Sequence, residues 1–187
     1  HVDPTAFRIG DTPIAWYGII IAVGFMLAFL YAMFSCKKMN IDVNRLFDVV
    51  IVGLIAGVVF ARLFYVVFYP GDKYRENPME IFQIHDGGLA IYGAVIAGFL
   101  VAFFYTRHKK IKLGAMTDLC VMGLLLGQCI GRWANFINRE AFGEETSSFL
   151  RMGLYHVATG QTVYVHPTFL YESLWNLVGF LFLHFLS

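Results

Sequence analysis

Charge is what this chain has least of. Asp, Glu, Lys and Arg make up 14% of its 187 residues, against roughly 25% in soluble domains. With 58% hydrophobic residues and a mean hydropathy of +0.64, that scarcity excludes an ordinary soluble fold, which could not hide so much apolar surface. Linkers are missing too. No Ser-rich, Pro-rich or low-complexity tract separates two parts, so the chain is read as one transmembrane domain over residues 1–187. Cysteine is sparse: Cys36, Cys120 and Cys129 sit in or beside apolar stretches, without the short pairings of a zinc site or a disulfide framework. They read as small packing residues. A net charge of +1 offers no basic surplus for nucleic acid. No HExxH, GxSxG or P-loop is present, and nothing calls for a metal or another cofactor.

What fills the space is apolar sequence in five runs, approximately 14–35, 47–69, 88–106, 116–138 and 167–186. Each is close to the roughly 20 residues that a helix needs to cross a bilayer, where only a helix satisfies its own backbone. The expected fold is therefore all-α, a polytopic transmembrane helical bundle of about five spans. The opening HVDPTAFRIGDTP lacks the basic start and small-residue cleavage site of a signal peptide, so the first run is expected to be a retained span. Lys37, Lys38 and Arg45 mark one short basic loop, and Arg107, Lys109, Lys110 and Lys112 mark another. Both are expected on the cytoplasmic side. The opposite segments, 70–87 and 139–166, dilute Lys73, Arg75, Arg139 and Arg151 with Asp72, Glu76, Glu80, Asp86, Glu140, Glu144 and Glu145. The N-terminus is then expected outside and Ser187 inside.

One internal echo stands out. Gly53, Gly57 and Ala61 recur at four-residue spacing before Arg62, and Gly123, Gly127 and Gly131 do the same before Arg132. Small residues at that spacing let helix backbones approach, so these faces are expected to pack. The arginines are less easily explained, because a charge within a span costs about 2.5–3.5 kcal/mol even on the lenient insertion scale. Both fall in the outer half of their spans and could face one anionic group. Gln128, Arg132, Asn135 and Arg139 follow at i, i+4, i+7 and i+11, a single polar stripe beside the glycine stripe. Arginine suits a phosphate because its planar fork donates two hydrogen bonds at once. Tyr17, Asp86, Tyr92, Glu140, His166, Tyr171 and Glu172 gather by topology at the same outer ends. The residues alone point to an outward polar cavity for a lipid headgroup or another small anion.

The segment GRWANFINREAFG, Gly131 to Gly143, closely resembles the signature G-R-x-x-N-F-x-N-x-E-x-x-G of the bacterial prolipoprotein diacylglyceryl transferases. The likeness continues through WYG at 16–18, ARLFYVVFY at 61–69, DGGLAIYG at 86–93 and HPTFLYE at 166–172, and covers nearly the whole chain. It implies transfer of the diacylglyceryl group of phosphatidylglycerol to the lipobox cysteine of a prolipoprotein signal peptide, giving a thioether and glycerol phosphate. It implies Arg132 and Asn135 as the headgroup-binding pair, Glu140 and Gly143 as the rest of the motif, and Tyr17 and Asp118 as further important positions. Arg62, Gln128 and His166 are added here as candidate contacts to phosphatidylglycerol. The family often has histidine where this chain has Tyr92, and phenols ionise only near pH 10 in water. The proton acceptor is left open, with Tyr92 either catalytic or positioning the lipid.

The family continues past the fifth span with two more helices bearing an important tyrosine and arginine, so the resemblance implies a seven-span bundle of which residues 1–187 supply five. It also implies a multi-pass protein of the bacterial plasma membrane with its site facing outward. A competing expectation from the residues alone is an anion or lipid-headgroup transporter or binding bundle without chemistry, since intramembrane arginines also mark ion paths.

Overall fold

The computed structural model describes residues 3–83, 87–156 and 160–186. In chain order its elements are β1 (Thr5–Ile9), β2 (Thr12–Ala15), α1 (Trp16–Cys36), α2 (Val43–Val67), the short α3 (Lys73–Glu76), a 3-10 turn (Pro78–Phe82), α4 (Ile91–Lys109), α5 (Leu113–Asn138), β3 (Met152–His156), β4 (Gln161–Val165) and α6 (Thr168–Leu186). Five of these helices, α1, α2, α4, α5 and α6, are long and apolar enough to cross a membrane. They fall on the five apolar runs. The boundaries move where local chemistry fixes them: α2 begins at Val43, ahead of the expected 47, because the Asp42 carboxylate caps it by accepting from the Asn44 N–H at 2.8 Å. At the other end of α4, Lys110 takes a left-handed conformation and its N–H closes on the Thr106 carbonyl.

Two antiparallel hairpins, β1–β2 and β3–β4, were not expected. The first turns through Gly10 at φ 61°, which a glycine adopts without strain. The second lies between α5 and α6, in a stretch read from the sequence as loop.

The described structure resolves into two compact units. In the central unit, Met33–Leu119, α2 packs on α4 through small residues. Ala61 and Ala97 are buried there, and Gly57 faces the Ala94 Cβ. At Gly93 a Cβ would run into the Phe60 carbonyl, 2.7 Å from its carbon, so the two backbones touch only because that position is glycine. The expected small-residue face of α2 is thus present except at Gly53, which meets open space.

The terminal unit comprises His1–Ala32 with Cys120–Ser187. Gly123 and Gly127 face Ala28, Gly131 faces Ile21, and a Cβ on Gly24 would stand 3.3 Å from the Gly127 carbonyl. The glycine stripe of α5 therefore packs on α1, as its spacing predicts. Helix α6 is held by a mixed contact. The Trp133 indole donates to the Ser173 hydroxyl at 3.2 Å, that hydroxyl donates to the Cys129 carbonyl at 2.8 Å, and Phe169 packs against Trp133 and Phe136 with centroids 5.3 and 4.7 Å away. Without a hydrophobic drive between helices in lipid, close backbones and such polar ties carry the association.

Candidate active site

The site is built on the way α5 ends. The Glu140 N–H bonds back to the Asn135 carbonyl at 3.1 Å and the Arg139 N–H to the Phe136 carbonyl at 3.3 Å. This paired closure is the Schellman pattern. It needs a left-handed residue past the helix, a place that glycine usually takes. Here Arg139 fills it at φ 55°, and Ala141 follows at φ 51°. The reversal folds Glu140 over the last turn, where its carboxylate accepts from the Asn135 side-chain amide at 3.0 Å. The Asn135 side-chain oxygen Oδ1 in turn lies 3.5 Å from Arg132 Nη1, the outer limit of a hydrogen bond. The second guanidinium nitrogen, Nη2, forms an ion pair with Glu172 on α6.

Arg132, Asn135, Glu140 and Glu172 thus form one bonded chain, with the Arg132 and Glu172 side chains 35% and 45% exposed. That chain holds one cation, Arg132, and two carboxylates, Glu140 and Glu172.

Gly143 and His166 brace the site from below. The Gly143 N–H donates to the His166 carbonyl and the His166 N–H to the Glu144 carbonyl, both at 3.0 Å. A Cβ at Gly143 would lie 2.9 Å from the His166 Cβ and 3.2 Å from the Thr168 methyl, so only glycine lets these strands of chain close. The Thr168 hydroxyl donates to the Ala141 carbonyl, tying the left-handed turn to the first residue of α6. The His166 Nδ1 lies 3.1 Å from the Tyr171 hydroxyl.

The remaining expected residues fall elsewhere. Gln128 is exposed on α5 one turn before Arg132, and Tyr17 sits half-exposed in the first turn of α1. Tyr92, at the second position of α4, belongs to the central unit and is 71% exposed. Asp118 lies near the start of α5, fourteen residues before Arg132, about 21 Å along a helix. It therefore cannot share a headgroup with Arg132. Asp86 lies outside the described residues.

Arg62 requires a larger correction. It is 6% exposed, and every N–H of its guanidinium is spent on backbone carbonyls. Nε donates to Ile81 at 2.9 Å, Nη1 to Gly87 and Gly88 at 2.8 and 3.0 Å, and Nη2 to Glu80 and Gln83 at 2.7 and 3.1 Å. Tyr74 and Tyr65 flank the cation at 5.4 and 5.9 Å from their ring centroids. With its donors saturated, Arg62 has none left for a phosphate and instead holds the segment leading into α4. Conversely, Glu172 had been gathered only among the outer polar groups. Its sequence signal was an acid five residues into an otherwise apolar span.

Five bilayer-length helices, with a charged cluster at one end of α5 and α6, define a polytopic helical membrane protein. The sequence model of the prolipoprotein diacylglyceryl transferase family matches residues 4–187, and the chain belongs to that family. It is 38% identical over 189 residues to the phosphatidylglycerol–prolipoprotein diacylglyceryl transferase of Clostridium botulinum (strain Langeland), covering 99% of this chain and 74% of that protein. The enzyme of the same description from Listeria welshimeri is 39% identical over 188 residues, covering 97% and 68%.

Proposed function

We propose that this protein transfers the diacylglyceryl group of phosphatidylglycerol to the lipobox cysteine of prolipoproteins, at the Arg132 end of the terminal unit, on the outer face of a bacterial plasma membrane. The observation that carries the reading is the bonded chain from Glu172 through Arg132 and Asn135 to Glu140, of which Arg132, Asn135 and Glu140 belong to the family's signature segment and Glu172 to α6. The basic loops around Lys37 and Lys109 support the orientation. In the reaction a thiolate attacks the glycerol carbon that bears the phosphate, a thioether forms, and negative charge grows on the departing phosphate. Arg132 is the preorganised cation for that charge. Its value is largest in a site of low dielectric, where removing one such donor costs about 10²–10³ in rate. Asn135 faces the guanidinium, Glu140 holds Asn135, and Gly143 allows the brace beneath them. Gln128, His166, Tyr17 and Tyr92 remain candidates for contact with the lipid or peptide.

The test is transfer from labelled phosphatidylglycerol to a lipobox peptide in proteoliposomes. Arg132→Ala is expected to lower the rate at least 10²-fold while membrane insertion is unchanged. Full activity in that variant would overturn the assignment. Uptake of anion without a chemical product would favour a transporter instead.

A further inference from the structure

Arg132 is already occupied. Its Nη2 carries the Glu172 carboxylate, while its contact to Asn135 is long at 3.5 Å, and the Asn135 amide is committed to Glu140. Among the described residues, Glu172 is the carboxylate ion-paired with this guanidinium. Either edge of the guanidinium that could hold a phosphate through two parallel hydrogen bonds includes Nη2, so a phosphate bound in that way competes with Glu172 for that nitrogen. The carboxylate so displaced gives up its partner on Arg132 and is free to bond the incoming thiol.

The chemistry asks for a base in that place. The attacking sulfur must come within about 3–3.5 Å of the glycerol carbon, which is one C–O bond from the phosphate. A base must reach the thiol at about 2.6–3.2 Å. It therefore has to sit about one side chain away from the phosphate anchor. Glu172 does. The other groups at this end fit less well: Glu140 is turned to Asn135, His166 is bonded to Tyr171, Arg139 is a cation, and Tyr17 is a phenol on α1.

We propose that Glu172 is the catalytic base for the acceptor thiol, held as the counter-ion of Arg132 until the phosphate of the lipid displaces it. The inference rests on the reading given under the proposed function. In the step, the Glu172 carboxylate takes the proton of the cysteine S–H. The sulfur forms its bond to the glycerol carbon as the C–O bond to phosphate breaks, and the electron pair leaves on the phosphate oxygen beside Arg132. The proton then passes from Glu172 to the departing glycerol phosphate. The freed carboxylate returns to Arg132 and helps to expel the product.

The experiment compares the full chain with Glu172→Gln and Glu172→Asp, measuring binding of labelled phosphatidylglycerol and transfer to a lipobox peptide from pH 6 to 9. For Glu172→Gln the expected result is lipid binding equal to or tighter than wild type and transfer about 10²–10³-fold slower at pH 7. Its rate should then climb about tenfold per pH unit towards the thiol pKa near 8.5, while Glu172→Asp keeps part of the activity. Wild-type rates in Glu172→Gln, a loss equal at every pH, or loss of lipid binding would each overturn the base role. A wild-type chain carried on through the two further helices that the family resemblance implies, which binds phosphatidylglycerol and never transfers, would instead overturn the underlying reading, and the base with it.

Discussion

Replacing Arg62 tests how the central unit is held together. The side chain is buried at 6% exposure and donates five hydrogen bonds to the carbonyls of Glu80, Ile81, Gln83, Gly87 and Gly88. Hydrogen bonds to a charged group are worth about 1.5–3 kcal/mol each in isolation, but these five share one desolvated cation and do not sum. Removing one partner of a buried charged cluster costs about 3–5 kcal/mol, and that is the expected loss for Arg62→Ala. For a chain of this size it corresponds to a fall in midpoint of roughly 6–20 °C. Arg62→Lys should fall in between. An ammonium has three donors and no fork, so at least two carbonyls stay unserved although the charge is kept. The assay is thermal unfolding in detergent micelles, paired with limited proteolysis of the segment 72–90. Cleavage there should quicken in both variants. Midpoints within 2 °C of wild type for both variants, with unchanged cleavage, would refute the claim that Arg62 is a backbone clamp.

Gly93→Ala should separate α2 from α4, because its methyl would meet the Phe60 carbonyl and the Ala61 backbone, which has no flexible end to yield. An overpacking cost of about 1–3 kcal/mol should appear in the same melts, and a neutral result would mean that the helices slide freely. Gly143→Ala should strike the site instead: the added carbon would press on His166 and Thr168, so transfer should drop by about tenfold or more with only a modest change in melting. Normal transfer in that variant would remove the brace from the mechanism.

The spans were legible because a bilayer imposes a length, and five apolar runs met it. The packing faces of α2 and α5 were legible for a similar reason, since Gly57, Ala61, Gly123, Gly127 and Gly131 recur with the turn of the helix. The hairpins were not. Strands of four and five residues, such as Thr12–Ala15 and Gln161–Val165, are too short for alternation to stand out, and the second pair lies in a polar stretch. Of the site, Arg132 and Asn135 lay on one stripe and Glu140 followed them in one motif, so their proximity could be expected. The function of Arg62 was hidden because its partners are backbone carbonyls, which any residues would supply. Glu172 was visible as a misplaced acid, but its pairing with Arg132 is a tertiary fact that no local pattern encodes.

The two arginines within spans also differ in time. The carbonyls that receive Arg62 follow it by 18–26 residues, about 1–5 s of synthesis at 5–20 residues per second, and come before the next span. Glu172 follows Arg132 by forty residues, about 2–8 s of synthesis at 5–20 residues per second. During that interval α5 carries an unmatched guanidinium whose insertion cost of about 2.5–3.5 kcal/mol nothing on α6 yet offsets. The charged centre of the terminal unit is thus completed only once α6 is made, and a nascent chain halted before α6 would hold the cation for phospholipid phosphate without the carboxylate that balances it.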